Sequence, residues 1–175
     1  MKFNSERSLY LNDDINTHSS AEVISGISKL QSADPETPIT LFINSSGGNV
    51  SDSFAVYEYV TKLLKPNLQT VVLGEASSMA VMIFLMGEKR YIGKLAVMRF
   101  HRFSLTVEKG TPLTAKQAEG ILRNLERSEE EYIDIIVEKS SGKINREEAR
   151  NLLDSDMLVP ALKAVELGLA HEILT

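Results

Sequence analysis

The order of apolar runs and turns constrains this chain more than any other feature, because a unit of strand, turn and helix occurs three times in its first half. Ser8 to Leu11 predicts a short strand, and the apolar runs Ile39 to Ile43 and Leu68 to Leu73 predict buried strands. Helical patterns follow them at Ser19 to Gln31, from Val50, and at Met79 to Met86. Strands that alternate with helices form a mostly parallel sheet covered by helices. The sequence therefore predicts a single α/β domain over residues 1–175, long enough to bury a core.

The second half of the chain predicts a longer helix flanked by shorter elements. Apolar residues recur at helical spacing from Thr114 to Glu138, with Gly142 placed to end the helix. Asn145 followed by Glu148 resembles a capping box that opens another helix. The remaining predicted elements are strands at Tyr91 to Ile92 and Ala96 to Phe100, a weaker strand at Phe103 to Val107, and a last helix at Pro160 to Leu167.

Composition excludes several classes of function. The 19 Lys and Arg residues are dispersed and the net charge is -5, so no basic surface for nucleic acid is predicted. No cysteine is present, which rules out disulfides and thiolate chemistry. The longest apolar run, Met79 to Met86, is far shorter than the roughly 20 residues that span a bilayer. We therefore expect a soluble, cytoplasmic protein without a membrane partner.

Two turns that contain glycine follow predicted strands, where parallel α/β sheets bind ligands. In the first, Asn44 to Gly48, the amides of Gly47 and Gly48 are suited to hold the oxygen of a polarised carbonyl. The plainer interpretation is a tight turn that needs positive φ. The second turn, Gly74 to Ser78, precedes the buried helix and offers a serine hydroxyl at its start.

Ser78 is suited to nucleophilic attack, with the amide of Met79 beside it, although a serine at this position is more often only an N-cap. A general base would have to be one of the three histidines, His18, His101 or His171. His101 follows a predicted strand and so lies at the same sheet edge as the two turns. Either Asp154 or Asp156 is placed to orient a histidine or to cap the last helix.

Four blocks of sequence resemble the proteolytic subunits of the Clp protease, in the order found in that family. They are Ile39-Thr-Leu-Phe-Ile-Asn-Ser-Ser-Gly-Gly-Asn-Val50, Gly74-Glu-Ala-Ser-Ser-Met-Ala80, Met98-Arg-Phe-His101 and Asp156-Met-Leu-Val-Pro-Ala-Leu-Lys-Ala-Val-Glu-Leu-Gly-Leu169. The resemblance covers about Ser8 to Thr175. It implies the crotonase-like fold, built of repeated β-β-α and βα units with helices on a mostly parallel sheet.

The resemblance also implies an activity and a set of site residues. Ser78 falls on the nucleophile, His101 on the general base and Asp156 on the acid, with Asp154 an alternative two residues away. Gly48 and Met79 fall on the oxyanion amides. The implied function is a serine endopeptidase that hydrolyses peptide bonds of unfolded proteins or peptides through an acyl-enzyme.

Assembly and partners are likewise implied by the resemblance. Relatives form two stacked heptameric rings, joined by a protruding handle of strand and helix that corresponds to about residues 103–138 here. No metal or cofactor enters the cleavage step, and ATP is used only by an AAA+ unfoldase partner. The chain begins close to its first predicted strand, whereas relatives have a longer N-terminal segment, so the sequence makes coupling to an unfoldase doubtful.

Two further departures leave alternatives open. Ser46 stands where the family usually has proline, and Arg102 to Val107 replaces a Gln-Pro pair and a glycine-rich stretch. One alternative is a catalytically silent or accessory ring subunit. Another is a crotonase-fold enzyme that acts on acyl thioesters and needs no serine.

Overall fold

The structure is a computed structural model that describes residues 3–104 and 112–174. Within those residues the chain forms a seven-stranded sheet and six α-helices. The strands are β1 (Ser8–Leu11), β2 (Ile39–Ser45), β3 (Leu68–Ser77), β4 (Lys89–Gly93), β5 (Val97–Arg99), β6 (Leu158–Pro160) and β7 (Glu172–Leu174). The helices are α1 (Thr17–Ala33), α2 (Val50–Glu58), α3 (Met79–Leu85), α4 (Ala115–Lys139), α5 (Arg146–Asp154) and α6 (Ala161–Glu166).

The sheet is mostly parallel, as the alternation of strands and helices predicts. Its order is β1-β2-β3-β4-β7, and every pair along this path is parallel. The long strand β3 has two partners on one side, because its first half pairs with β4 and residues Glu75 to Ser77 pair with β5. β6 is antiparallel to β5. The α/β fold with helices on a mostly parallel sheet is confirmed.

Helix ends follow from local side chains. The predicted capping box of α5 is present: the Glu148 amide donates to Asn145 Oδ1 at 2.9 Å, and the Asn145 amide donates to Glu148 Oε2 at 2.8 Å. A second box opens α4, where Thr114 and Gln117 satisfy each other's backbone amides. These bonds satisfy amides that a helix start leaves without a partner.

The core lies between the sheet and its helices, with α3 at the centre. All seven residues of α3 are buried, which explains why the run is apolar on every side. α4 joins this core only through its second half: its buried residues begin at Glu129, and none occurs from Ala115 to Ser128. The projecting handle stays a prediction, since Leu105 to Thr111 lie outside the described residues. No helix in the described part of the chain is long and apolar enough to cross a membrane.

One turn prediction was wrong. Gly74 to Ser77 continue β3 rather than forming a turn, because Glu75, Ala76 and Ser77 pair with Val97, Met98 and Arg99 of β5. The sequence also did not predict β6 and β7. Of the weaker strand predicted at Phe103 to Val107, Phe103 and Ser104 lie outside any strand, and the remainder lies outside the described residues.

Candidate active site

Ser78 lies where β3 ends and α3 begins, and its backbone is strained. Its φ of 52° and ψ of -127° are rare for a residue with a side chain. The Ser78 amide donates to Arg99 O at 2.9 Å, and its carbonyl accepts from Tyr132 Oη and from the Val81 amide, each at 3.1 Å. Its hydroxyl makes no capping bond to α3. The N-cap interpretation therefore does not account for this serine.

The glycine turn after β2 packs directly against Ser78. Gly47 and Gly48 have φ of 99° and 147°, a region that strongly favours glycine. A Cβ on Gly47 would lie 2.7 Å from Ser77 O and from Ser78 Cβ, so only glycine permits this approach. The structure thus brings the backbone of this turn to the serine side chain.

His101 follows β5 and is half-buried. Its Nδ1 lies 2.7 Å from the carbonyl oxygen of Arg102. Because a carbonyl oxygen only accepts hydrogen bonds, this contact assigns the proton to Nδ1 and leaves the Nε2 lone pair as the basic site. Neither ring nitrogen is hydrogen-bonded to Ser78 or Asp156, all three being described residues.

Two arginines next to the site hold the candidate acids. Arg99 binds Asp156 through both carboxylate oxygens, with Nε and Nη2 each 2.9 Å away. The Arg99 guanidinium, which donates to both carboxylate oxygens, holds the pKa of Asp156 below its usual value. Arg102 pairs with Asp154 at 2.5 Å and likewise lowers the pKa of Asp154.

Glu129 of α4 completes the Arg102 pairing and fixes the chain after His101. Its Oε2 lies 2.7 Å from Arg102 Nη1, and its Oε1 accepts from the Phe103 amide at 2.6 Å. The Glu129 side chain is 11% exposed, so this ion pair is partly shielded from water. The buried half of α4 therefore supports the segment that carries the histidine.

A cleft of about 260 Å³ joins three of the predicted site residues. Ser78, His101 and Gly48 share its wall with Asp14, Ser46, Val50, Phe103 and Ser104. Met79 is wholly buried, and its amide lies beside the glycine turn, 3.1 Å from the position of a Cβ on Gly47. Asp156 does not line this cleft and is bound to Arg99 instead. The structure thus brings the candidate nucleophile, base and oxyanion amides together and leaves the candidate acid apart.

The other histidines lie elsewhere. His18 lies in the first turn of α1, exposed and 3.4 Å from Glu22. His171 precedes β7 and accepts a hydrogen bond from the Arg90 amide at 3.0 Å. Sequence reasoning missed Asp14 as a cleft residue. The signal was available, because Asp14 follows β1 and so comes at the carboxyl end of a parallel strand, as the two turns do.

A strained serine at a junction of strand and helix, in one cleft with a histidine and with Gly48 of the adjacent turn, fits the site of a serine-type endopeptidase. A family profile described as Clp protease matches residues 1–175. The chain belongs to the Clp protease family, and its enzyme class is that of a serine-type endopeptidase.

Individual relatives share a modest identity with this chain over nearly its whole length. A protein named ATP-dependent Clp protease proteolytic subunit from Dehalococcoides mccartyi is 32% identical over 171 residues, 97% of this chain and 82% of the relative. Proteins named ATP-dependent Clp protease proteolytic subunit 1 from Corynebacterium glutamicum and Thermobifida fusca are 28% and 27% identical. The matches cover 96% and 97% of this chain and 79% and 74% of those relatives. These comparisons favour neither the silent subunit nor the thioester enzyme.

Proposed function

We propose that this protein is a serine endopeptidase that cleaves unfolded proteins or peptides through Ser78, His101 and Asp156. The observation that carries the proposal is the environment of Ser78. Its backbone is held at positive φ, its hydroxyl is not used to cap α3, and it shares one cleft with His101 and Gly48. A residue kept in a strained conformation beside a base and free amides is typical of a nucleophile.

The proposed reaction proceeds through an acyl-enzyme. His101 Nε2 accepts the proton of Ser78 Oγ as this oxygen attacks the carbonyl carbon of the scissile bond. The amides of Gly48 and Met79 hold the oxyanion of the tetrahedral intermediate. His101 then gives the proton to the leaving amine, and water releases the acyl group by the same steps. We propose this cleavage without a metal or a cofactor.

The proposal requires two changes of partner at the acid. Asp156 exchanges Arg99 for His101, and His101 Nδ1 exchanges the carbonyl of Arg102 for that carboxylate. Proximity supports this exchange, since the two side chains are near enough for a protonated His101 to lower the pKa of Asp156. Asp154 is the weaker candidate, because Arg102 binds it at 2.5 Å and is itself held by Glu129.

The names of the relatives support a place in a larger assembly. They are called proteolytic subunits of an ATP-dependent protease. We propose that copies of this chain form rings, as two stacked heptamers, with ATP used only by a partner that unfolds substrates. Sedimentation of the purified protein tests the ring, and degradation of a folded substrate with and without an added ATP-driven unfoldase tests the partner. We also propose a cytoplasmic location for the protein.

A fluorophosphonate probe tests the catalytic proposal. The purified protein is incubated with the probe, and the adduct is located by peptide mass spectrometry in wild type, Ser78→Ala and His101→Ala. Ser77→Ala is the matched control, because Ser77 is the adjacent buried serine and its hydroxyl bonds to Glu75. We expect labelling confined to Ser78, lost in the first two variants and kept in the control.

The opposite result would reject the proposal. A folded wild-type protein that sediments as an assembly and is not labelled would not be a self-sufficient serine peptidase. Labelling that persists in Ser78→Ala would show that another residue is the nucleophile. Asp156→Asn and Asp154→Asn, compared in the same assay, identify the acid by which of the two slows labelling more.

A further inference from the structure

Asp14 is fixed beside the glycine turn of the proposed active site. Its neighbour Ile15 is bonded to that turn on both sides: the Ile15 amide donates to Gly47 O at 2.7 Å, and the Asn49 amide donates to Ile15 O at 2.8 Å. Gly48 leaves no room for a side chain against this segment, since a Cβ there would lie 2.2 Å from Ile15 O. The position of Asp14 is therefore tied to the turn that packs on Ser78.

The backbone around Asp14 is anchored, and its side chain reaches the cleft. The Asp14 carbonyl accepts from Ser19 Oγ at 2.9 Å and from Asn16 Nδ2 at 3.2 Å. Its amide donates to Asp13 Oδ1 at 2.8 Å. Its carboxylate accepts a hydrogen bond from Ser46 through Oδ1, and both residues line the cleft. One bond to a hydroxyl does not neutralise the carboxylate, so the charge faces the cleft.

In that wall the described side chain of basic character is His101, which stays a neutral imidazole while its Nε2 carries the lone pair. Among the described residues of the cleft, Asp14 is the one carboxylate, and none is lysine or arginine. The two nearby arginines are already paired, Arg99 with Asp156 and Arg102 with Asp154 and Glu129. The remaining walls are apolar or neutral, as at Val50 and Phe103. A substrate that enters the described part of this cleft therefore meets the negative charge of Asp14 beside the reacting serine.

We propose that Asp14 selects substrates with a lysine or arginine side chain close to the scissile bond. This inference rests on the proposed peptidase function and adds a substrate class to it. A cationic side chain that enters the cleft forms an ion pair with Asp14, whereas an acidic side chain is repelled by it. The charge thus sets a preference that the apolar walls alone do not provide.

A set of matched fluorogenic peptides tests the preference. The peptides are identical except for lysine, norleucine or glutamate at each of the two positions on either side of the scissile bond. Norleucine keeps the length of the lysine chain without its charge. From the usual strength of an exposed ion pair we expect kcat/KM for the best lysine peptide to exceed that of its norleucine twin about threefold. The ratio should shrink between about 0.05 M and about 0.5 M NaCl.

Variants identify the residue responsible. Asp14→Asn should lower the ratio of kcat/KM for the lysine peptide to that for its norleucine twin to about one, and Asp14→Lys should favour glutamate. Asp13→Asn is the matched control, because it removes the neighbouring charge, which does not line the cleft. We expect this control to keep the preference.

Each other outcome overturns the inference. No charge preference at any position, or a preference unchanged in Asp14→Asn, would show that Asp14 does not select substrate. An equal loss of activity on all peptides in Asp14→Asn would assign the residue to the support of the glycine turn instead. Failure of the peptidase proposal is a distinct result, since then no peptide is cleaved and Ser78 is not labelled by the fluorophosphonate.

Discussion

Tyr132→Phe removes one of the bonds that hold Ser78 in its strained conformation. Tyr132 is wholly buried in α4, and its hydroxyl donates to the Ser78 carbonyl at 3.1 Å. Burial raises the pKa of Tyr132, so the phenol stays protonated and remains a donor. Phenylalanine keeps the ring, which stacks on Phe103 with centroids 5.6 Å apart, and deletes only the oxygen.

The structure fixes the expected magnitude. Leaving a buried hydrogen-bond acceptor without its donor lowers the free energy of unfolding by about 1–3 kcal/mol. Because the Ser78 carbonyl keeps the Val81 amide at 3.1 Å, we expect the lower end, about 1 kcal/mol. For a domain of this length that corresponds to a fall in melting temperature of about 2–4 °C. The freed backbone should also relax from a conformation that costs about 1–3 kcal/mol, and so slow attack by Ser78.

Two assays on one preparation test this reasoning. Thermal unfolding gives the change in stability, and the rate of fluorophosphonate labelling gives the reactivity of Ser78. Tyr10→Phe is the control, since Tyr10 is 67% exposed and should change neither quantity. If Tyr132→Phe has the melting temperature and the labelling rate of the wild type, the hydrogen bond to Ser78 contributes nothing to the site, and the reasoning is refuted.

Three further predictions concern the glycine turn, the acid and the last histidine. Gly47→Ala should lower the free energy of unfolding by about 1–2 kcal/mol, because alanine is strained at the positive φ of this position. It should also abolish labelling, because the new Cβ would collide with Ser78. Labelling at the wild-type rate would show that the turn does not pack closely on the serine. Arg99→Met should raise the pKa of Asp156, which NMR measures. It should also speed labelling of Ser78, because Asp156 is then free to bind His101. Slower labelling would mean that Arg99 holds Asp156 in its working position. Burial lowers the pKa of His171, so the folded state favours the neutral ring and stability should fall as the pH drops below about 6.5. His171→Asn, which keeps an acceptor for the Arg90 amide, should reduce that fall in urea unfolding between about pH 8 and about pH 5, and an unchanged fall would refute the assignment.

Local patterns were sufficient for most of the fold. The strand at Ile39 and the buried helix at Met79 follow from apolar runs, because such runs indicate burial. The short strand at Ser8 was also predicted, although only Leu11 in it is buried. The predicted helix from Thr114 to Glu138 agrees with α4 to within one residue at each end. The agreement is close because an amphipathic pattern over 25 residues is a strong signal. The serine and the histidine at the same sheet edge were likewise predictable, since parallel strands place their carboxyl ends together.

Long-range pairing was not predictable from the same patterns. Gly74 to Ser77 contain turn-forming residues, yet they extend β3 because β5 lies alongside and supplies ladder partners about 20 residues away. β6 is only three residues long, and its pairing with β5 joins segments about 60 residues apart. A short segment has no periodicity of its own, so its partner decides its conformation.

The sequence by itself determined the α/β order, the buried helix and the residues able to carry serine chemistry. Tertiary structure alone decided which charges meet. It paired Arg99 with Asp156 and Arg102 with Asp154, and it brought Asp14 to the cleft of Ser78. The physical reason is that apolar burial is set by composition along each element, whereas ion pairs depend on distances of a few ångströms between side chains far apart in the chain.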